Sequence, residues 1–367
     1  MKLFEKATIE QAYLKAGFFG FAGSGKTLTS CLTMIGTLKY CEKLKEQGLE
    51  LPYLGKPVAF VDTEGGSDFM VPVFEHFEIP LVVVKTRAFV DMIPAILEAK
   101  NECSGIIIDS VTHPWREFQS AYKEKKRRSF IAFEDWNYLK DEWAKFTSAF
   151  VNAPIHAILC GRAGYEYENS IDEETGKREI EKVGTRMKTE GEMAFEPSLL
   201  VEMELEQSKQ GREIWNTAFI RKDRWNKIMG KCYQFMPNED IDGAMRRTFG
   251  AFWPHIQLIN FGGVHRAVDL ERSSESTIPE SAKSEGKKAA EDKEIYLEKI
   301  GNLFVQHGIS SQSKEGKQKI QELLSKHAGT DSWKEMEFKF SASKMKETYR
   351  LLHIELNGAD PFIVVAE

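Results

Sequence analysis

The most specific chemistry in the chain lies in Gly20-Phe21-Ala22-Gly23-Ser24-Gly25-Lys26-Thr27, which fits G-x-x-x-x-G-K-[ST] without exception. Glycines let backbone N–H groups curl around phosphate oxygens. A helix starting just after such a loop aims its positive N-terminal end at the same anion. Lys26 is placed to reach the β- and γ-phosphates of a nucleotide, and the Thr27 hydroxyl to ligate Mg2+. The expected nucleotide-binding set is therefore Gly20, Ala22, Gly23, Ser24, Gly25, Lys26, Thr27 and Leu28.

A phosphate loop alone does not hydrolyse. It needs one carboxylate for the metal's water shell and another to polarise the attacking water. Asp109 ends the apolar run "GIIID" and suits the first role, which makes Thr27 and Asp109 the expected metal residues. For the second role, "VAFVDTEGGSDF" offers Asp62 and Glu64 at the end of another apolar run, where open α/β sheets place ligands. Glu64 is the expected water-activating residue; the other reading of this acidic pair is a helix N-cap.

The elements that must hold these groups are legible in the hydrophobic pattern. Residues 16–21, 56–64, 79–86, 104–111 and 154–161 are short apolar runs with β-branched residues, as in buried parallel strands. Between them run helical patterns, such as Leu28, Cys31, Leu32, Ile35 and Leu38. "PSLLVEMELE" and "EIWNTAFIRKD" read as later strands forming an antiparallel extension. This alternation predicts an α/β protein with a mostly parallel sheet flanked by helices.

A composition shift follows. Residues 271–294 are rich in Ser, Glu and Lys and nearly devoid of large apolar side chains. The sequence thus divides into a nucleotide-binding domain over 1–268, a flexible linker over 269–294 and a small helical domain over 295–367. In the last, Ser341 or Ser343 is placed to cap a helix.

Bulk properties narrow the class. The chain has 367 residues, 42% of them hydrophobic, which supports a sizeable core. Its formal net charge of −6 argues against a tail-driven nucleic-acid binder, though not against a local basic surface. Five dispersed cysteines without a C-x-x-C pair read as reduced thiols, not a disulfide framework or a zinc site. No apolar run is long enough to span a membrane, and no signal peptide is evident, so a cytoplasmic location is expected. Trp115, Trp136 and Trp143 read as packing residues.

The phosphate loop, the strand ending in an acidic residue before glycine, and "IIIDS" together resemble the core of the RecA-like ATPases. With "DSVTHPWREF", "FEDWNYLKDEW", "CGRAGYEYE", "VGTRMKTEGEMAFEP" and "FIRKDRW" in order, the chain resembles the RecA-like AAA-type ATPases of phages and prophages. Some of these are Sak-type single-strand annealing or recombination ATPases. The likeness covers roughly residues 8–240 and implies a RecA-like P-loop core with a small C-terminal helical module. It also implies ATP and Mg2+ as cofactors, and a bacterial host cytoplasm if the chain is phage-encoded.

By this resemblance Glu64 is catalytic, Asp68 approaches the adenine, and Arg162 stands where the family has a polar γ-phosphate sensor, usually glutamine. Lys222 and Arg224 match a basic pair that reaches a neighbouring subunit's γ-phosphate, which implies a homo-oligomer; their other reading is a solvated strand end. With Lys26, Glu64 and Asp109 they complete the expected catalytic set. The basic run Lys123, Lys125, Lys126, Arg127 and Arg128, flanked by Tyr122 and Phe130, lies near the position of a first DNA-binding loop. The polar stretch 163–192 occupies the place of a second, with Lys182, Arg186 and Lys188 as contacts. Both also read as solvated surface. The implied activity is an oligomeric ATPase acting on single-stranded DNA in recombination, annealing or replication, alongside partner proteins of those processes. The alternative is an ATP-dependent protein-interaction switch or loader, including defence or packaging roles, that never touches DNA.

Overall fold

The computed structural model describes residues 6–171, 178–236, 239–265 and 280–362. The chain divides into two compact units, Met1–Val268 and Asp269–Glu367.

In the first unit, strands and helices alternate: β1 (Lys15–Gly20), α1 (Lys26–Glu46), β2 (Val58–Asp62), α2 (Ser67–His76), β3 (Leu81–Lys85), α3 (Met92–Glu102), β4 (Gly105–Asp109), α4 (Thr112–Lys125) and α5 (Asp135–Asn152). Then come β5 (His156–Ile171), β6 (Arg178–Met187), β7 (Leu199–Gln207), β8 (Ile214–Asp223), β9 (Cys232–Phe235) and α6 (Ile241–Ile256). They build a nine-stranded sheet in the order β3-β2-β4-β5-β1-β7-β8-β9, with β6 paired to β5 alone. The strands from β3 to β7 are parallel, and β8 and β9 extend the sheet antiparallel. The α/β class expected from the sequence, a mostly parallel sheet flanked by helices, is the one observed.

The central strands are apolar throughout because both faces are covered. In β4, Ile107 enters one core while Ile106 and Ile108 enter the other. Leu32 and Ile35 of α1, Phe74 of α2 and Phe252 of α6 fill the first core. Ile96 of α3, Trp115 of α4, and Trp143 and Phe146 of α5 fill the second. The register aligns the strand ends: Gly20 lies opposite Arg162 and Met203, and Asp62 opposite Asp109. Loop, carboxylates and Arg162 therefore meet along one edge of the sheet, at the carboxyl ends of its parallel strands.

The stretch 163–192 is not a loop in its described parts. β5 continues to Ile171 and pairs antiparallel with β6, with a register shift at Glu166/Tyr167. Its polar composition misled because a ladder exposed on its faces needs backbone pairing rather than apolar side chains. Residues 172–177 lie outside the described residues.

The second unit contains α7 (Glu280–Gln306), α8 (Lys314–Ala328), α9 (Trp333–Lys339) and α10 (Ala342–Asn357). α7 begins inside the segment that composition reads as a linker. Alanine, glutamate and lysine are good helix formers even where no apolar stripe marks a helix. Residues 269–279 of that segment lie outside the described residues. Ile300, Leu303, Phe304, Leu324, Met345 and Leu352 form this unit's own core. Ser341, not Ser343, caps α10 by accepting from the Lys344 N–H at 3.2 Å. Among the described residues no helix is long and apolar enough to cross a membrane.

Candidate active site

The phosphate loop joins β1 to α1. A Cβ at Gly20 would stand 2.1 Å from the Met203 carbonyl oxygen, so this close approach of β1 to β7 admits glycine alone. Gly25 is the N-cap of α1, with φ 82 and no side-chain cap. The first-turn N–H groups of α1 thus have no side-chain acceptor of their own, which is the donor set of an anion site. Ala22 is exposed on the loop, and Leu28, 38% exposed, lies in the first turn of α1. Lys26 folds over the loop, its Nζ donating to the Phe21 carbonyl at 2.9 Å. Asn216, at the start of β8, braces the loop by donating from Nδ2 to the Gly23 carbonyl at 3.1 Å.

Thr27 Oγ1 donates to Asp109 Oδ2 at 2.5 Å. Two oxygen groups converge here from α1 and β4, the donor chemistry that suits Mg2+, which takes few protein ligands and keeps waters. The residues fit that ion. Burial pushes the Asp109 carboxyl up to about 6 against the opposing hydrogen bond from Thr27, with Glu64 adding to the rise.

The two carboxylates after β2 have separate tasks. Asp62 Oδ1 accepts from the N–H groups of Glu64 at 3.0 Å, Gly65 at 2.6 Å and Gly66 at 3.2 Å. Its Oδ2 accepts from the Ser67 N–H at 3.0 Å and the Ser67 hydroxyl at 2.5 Å. Asp62 therefore shapes the turn into α2, while Glu64 points towards β4 and β5. Glu64 Oε1 accepts from Ser110 Oγ at 2.8 Å and from Arg162 Nε at 2.9 Å, with His113 Nδ1 at 3.6 Å. Burial raises the Glu64 carboxyl, but the Arg162 and Ser110 hydrogen bonds outweigh it and hold the group below its ordinary value. His113 Nδ1 is 2.8 Å from Thr63 Oγ1, and that hydroxyl in turn accepts from the Ser110 N–H at 2.8 Å.

Other expected residues lie apart. Asp68 in the first turn of α2 pairs with Lys85 of β3 at 2.8 Å, and both are exposed. Lys222 and Arg224 both donate to the Phe195 carbonyl, Arg224 at 2.8 Å. Lys222 pairs with Leu200 across the ladder and Leu200 with Gly17, which puts the basic pair towards the opposite end of the sheet from its own phosphate loop. Burial and the neighbouring Arg224 lower the Lys222 ammonium to about 8.

Among the candidate DNA contacts, Lys123 and Lys125 sit in the last turn of α4, where they also complement the helix dipole. Lys126, Arg127 and Arg128 follow it. Arg128 Nη1 pairs with Asp135 Oδ2 at 2.9 Å with little exposure, and Tyr122 donates to the other oxygen at 2.8 Å. On the β5–β6 hairpin, Lys182 Nζ lies 3.7 Å above the Tyr165 ring, Arg186 is 3.8 Å from Glu166, and Lys188 is exposed. Tyr165 in turn packs against Phe21 of the phosphate loop, ring centres 4.9 Å apart.

Sequence reasoning passed over Ser110 and Asn216. Ser110 follows Asp109 directly and its hydroxyl was the available signal; nothing in the sequence brings Asn216 to the loop, because only the β7–β8 register does.

The chain is similar to the KaiC-like protein PH0186 from the hyperthermophilic archaeon Pyrococcus horikoshii OT3, with 17% identity, a TM-score of 0.37, and coverage of 62% of this chain and 86% of that one. No curated protein matches it. A family model for an AAA domain, AAA_24, matches residues 12–243, and the chain belongs to that family of AAA-type P-loop ATPases.

Proposed function

We propose that the chain is a Mg2+-dependent ATPase that assembles with copies of itself and acts on single-stranded DNA in phage-type recombination, annealing or replication. The observation that carries the ATPase reading is the convergence of Lys26, Thr27, Asp109 and Glu64 at one edge of the sheet, with Thr27 and Asp109 2.5 Å apart. Lys26 and the uncapped start of α1 would hold the phosphates. Thr27 and Asp109 would hold the ion, which when bound neutralises charge developing on the phosphoryl oxygens. Glu64 would accept a proton from the attacking water, and its lowered pKa keeps it ionised at neutral pH.

DNA as the substrate is supported by the basic run at the end of α4 and by the exposed aromatic and lysine side chains of the hairpin. Assembly is supported by the placement of Lys222 and Arg224 away from their own loop. The test is ATP turnover with and without single-stranded DNA, read beside oligomer size. DNA-stimulated turnover that disappears in Lys26→Ala is the expected result. Unimpaired hydrolysis by Lys26→Ala would refute the site. Turnover that ignores DNA, with no DNA binding at low salt, would leave the protein-interaction switch as the reading.

A further inference from the structure

We propose that His255 is a positioning residue for Lys222 and Arg224: with Asp223 and Ser198 it sets the turn from which these two cations reach the active site of an adjoining copy. This rests on the reading of the pair as serving a neighbour's phosphates. Asp223 lies between the two cations at the end of β8, and it is buried while Arg224 is exposed.

Asp223 Oδ1 accepts from the Trp225 N–H at 2.9 Å, and Oδ2 from the N–H groups of Lys227 at 2.6 Å and Ile228 at 2.8 Å. One carboxylate thus closes the turn that leaves β8, in which Asn226 takes φ 54. Burial raises the Asp223 carboxyl, but the hydrogen bonds from His255 and the turn outweigh it and hold the group below its ordinary value. His255, in the last turn of α6, has Nδ1 2.7 Å from Asp223 Oδ1 and Nε2 3.1 Å from Ser198 Oγ. A carboxylate can only accept, so Nδ1 carries the proton and donates. Ser198 stands just before β7, and its carbonyl accepts from the Arg224 N–H at 2.9 Å. Arg224 is therefore hung between two residues that His255 holds.

Ser198, His255 and Asp223 are ordered as in a hydrolase triad. None is more than 6% exposed, and Gln11 Nε2 already donates to Ser198 Oγ at 2.9 Å, so no acyl group reaches that hydroxyl. A buried and satisfied network of this kind fixes geometry. Its anchor is firm, because α6 is pressed on α1, where a Cβ at Gly36 would stand 2.7 Å from Phe249 Cβ. What it fixes is accessible. Lys222 and Arg224 donate to the Phe195 carbonyl, and among the described residues neither pairs with a carboxylate. A phosphoryl oxygen is a stronger acceptor than that carbonyl for both.

The experiment mixes chains. His255→Ala should keep its own phosphate site and misplace its cations. Alone it is expected to turn ATP over about tenfold or more slowly than wild type, with KM within about twofold. Mixed with Lys26→Ala, whose cations are sound, it should regain part of the turnover. Mixed with Lys222→Ala/Arg224→Ala, whose cations are missing, it should regain none. Merely structural damage gives recovery with neither. Ser198→Ala, which removes only a hydroxyl, should show the same one-sided recovery with a smaller initial loss. His255→Asn, which can still donate to Asp223, should keep more turnover than His255→Ala.

Wild-type turnover by His255→Ala would overturn the proposal. So would recovery with Lys222→Ala/Arg224→Ala, or with neither partner while ADP still binds as in wild type. If His255→Ala failed to bind ADP, Ser198→Ala would decide by the same outcomes. The control is Lys26→Ala mixed with Lys222→Ala/Arg224→Ala. If that mixture stayed inactive, the neighbour reading of the pair would fall and this proposal with it.

Discussion

Thr27 on the first turn of α1 donates to Asp109 at the end of β4 at 2.5 Å, tying the phosphate loop to the strand that lies two places away in the sheet. Both are oxygen donors, and neither is surrounded by the His, Cys or acidic cluster of a closed metal cage among the described residues. Thr27→Ala should leave the fold intact and weaken apparent Mg2+ affinity by at least about tenfold, read as the metal dependence of nucleotide binding. Equal Mg2+ dependence in variant and wild type would remove Thr27 from the metal site.

Gly20 is pressed against β7. Gly20→Ala puts a methyl 2.1 Å from the Met203 carbonyl oxygen and 2.5 Å from Ser24 Oγ. Backbone must shift to admit it, at a cost of about 1–3 kcal/mol in unfolding free energy. Because Gly20 opens the phosphate loop and Ser24 lies within it, nucleotide binding should fall further than stability does. Denaturant unfolding and ADP binding measured on the same protein separate the two effects.

Lys222 and Arg224 offer a test across subunits. Their distance from their own loop predicts that a Lys222→Ala/Arg224→Ala chain and a Lys26→Ala chain, each inactive alone, recover part of the turnover when mixed. Lys222 sits near 8, held down by burial and Arg224. Its charge is present below that pH and is lost as pH rises through it, so turnover should decline between pH 7 and 9. Lys222→Arg keeps the charge and should flatten the decline. A mixture as inactive as its parts would place the pair outside the catalytic site.

The phosphate loop, Asp109 and the parallel sheet were legible because each has a local signature: a fixed glycine spacing, or an apolar run ending in an acid. Glu64 and Asp62 end the same apolar run and share one local signature, and the structure separates them by what each carboxylate touches. The hairpin β5–β6 was misread because residues such as Tyr165, Glu166 and Tyr167 carry no buried face. Asn216 and the place of Lys222 depend on pairing register, which no short window of sequence contains. α7 was hidden because its first half is helical without an apolar stripe.

Lys15 on β1 is a buried cation with no carboxylate partner among its hydrogen bonds. Its Nζ donates to the Ala153 carbonyl at 2.7 Å and the Ile155 carbonyl at 2.9 Å, joining β1 to the turn before β5. Burial lowers its pKa to about 7. In the unfolded chain the group titrates near 10.4. Between those values the unfolded state binds more protons than the folded one, so this group makes stability rise with pH from about 7 to about 10, by at most about 1.4 kcal/mol per pH unit. Below pH 7 both states are protonated and the slope disappears. Lys15→Met removes the titration together with both Nζ hydrogen bonds. The stability difference between wild type and variant, from chemical denaturation at pH 6, 7, 8 and 9, should therefore stay flat to pH 7 and then grow in favour of wild type. A difference that stayed flat up to pH 9 would mean that Lys15 stays charged in the folded chain.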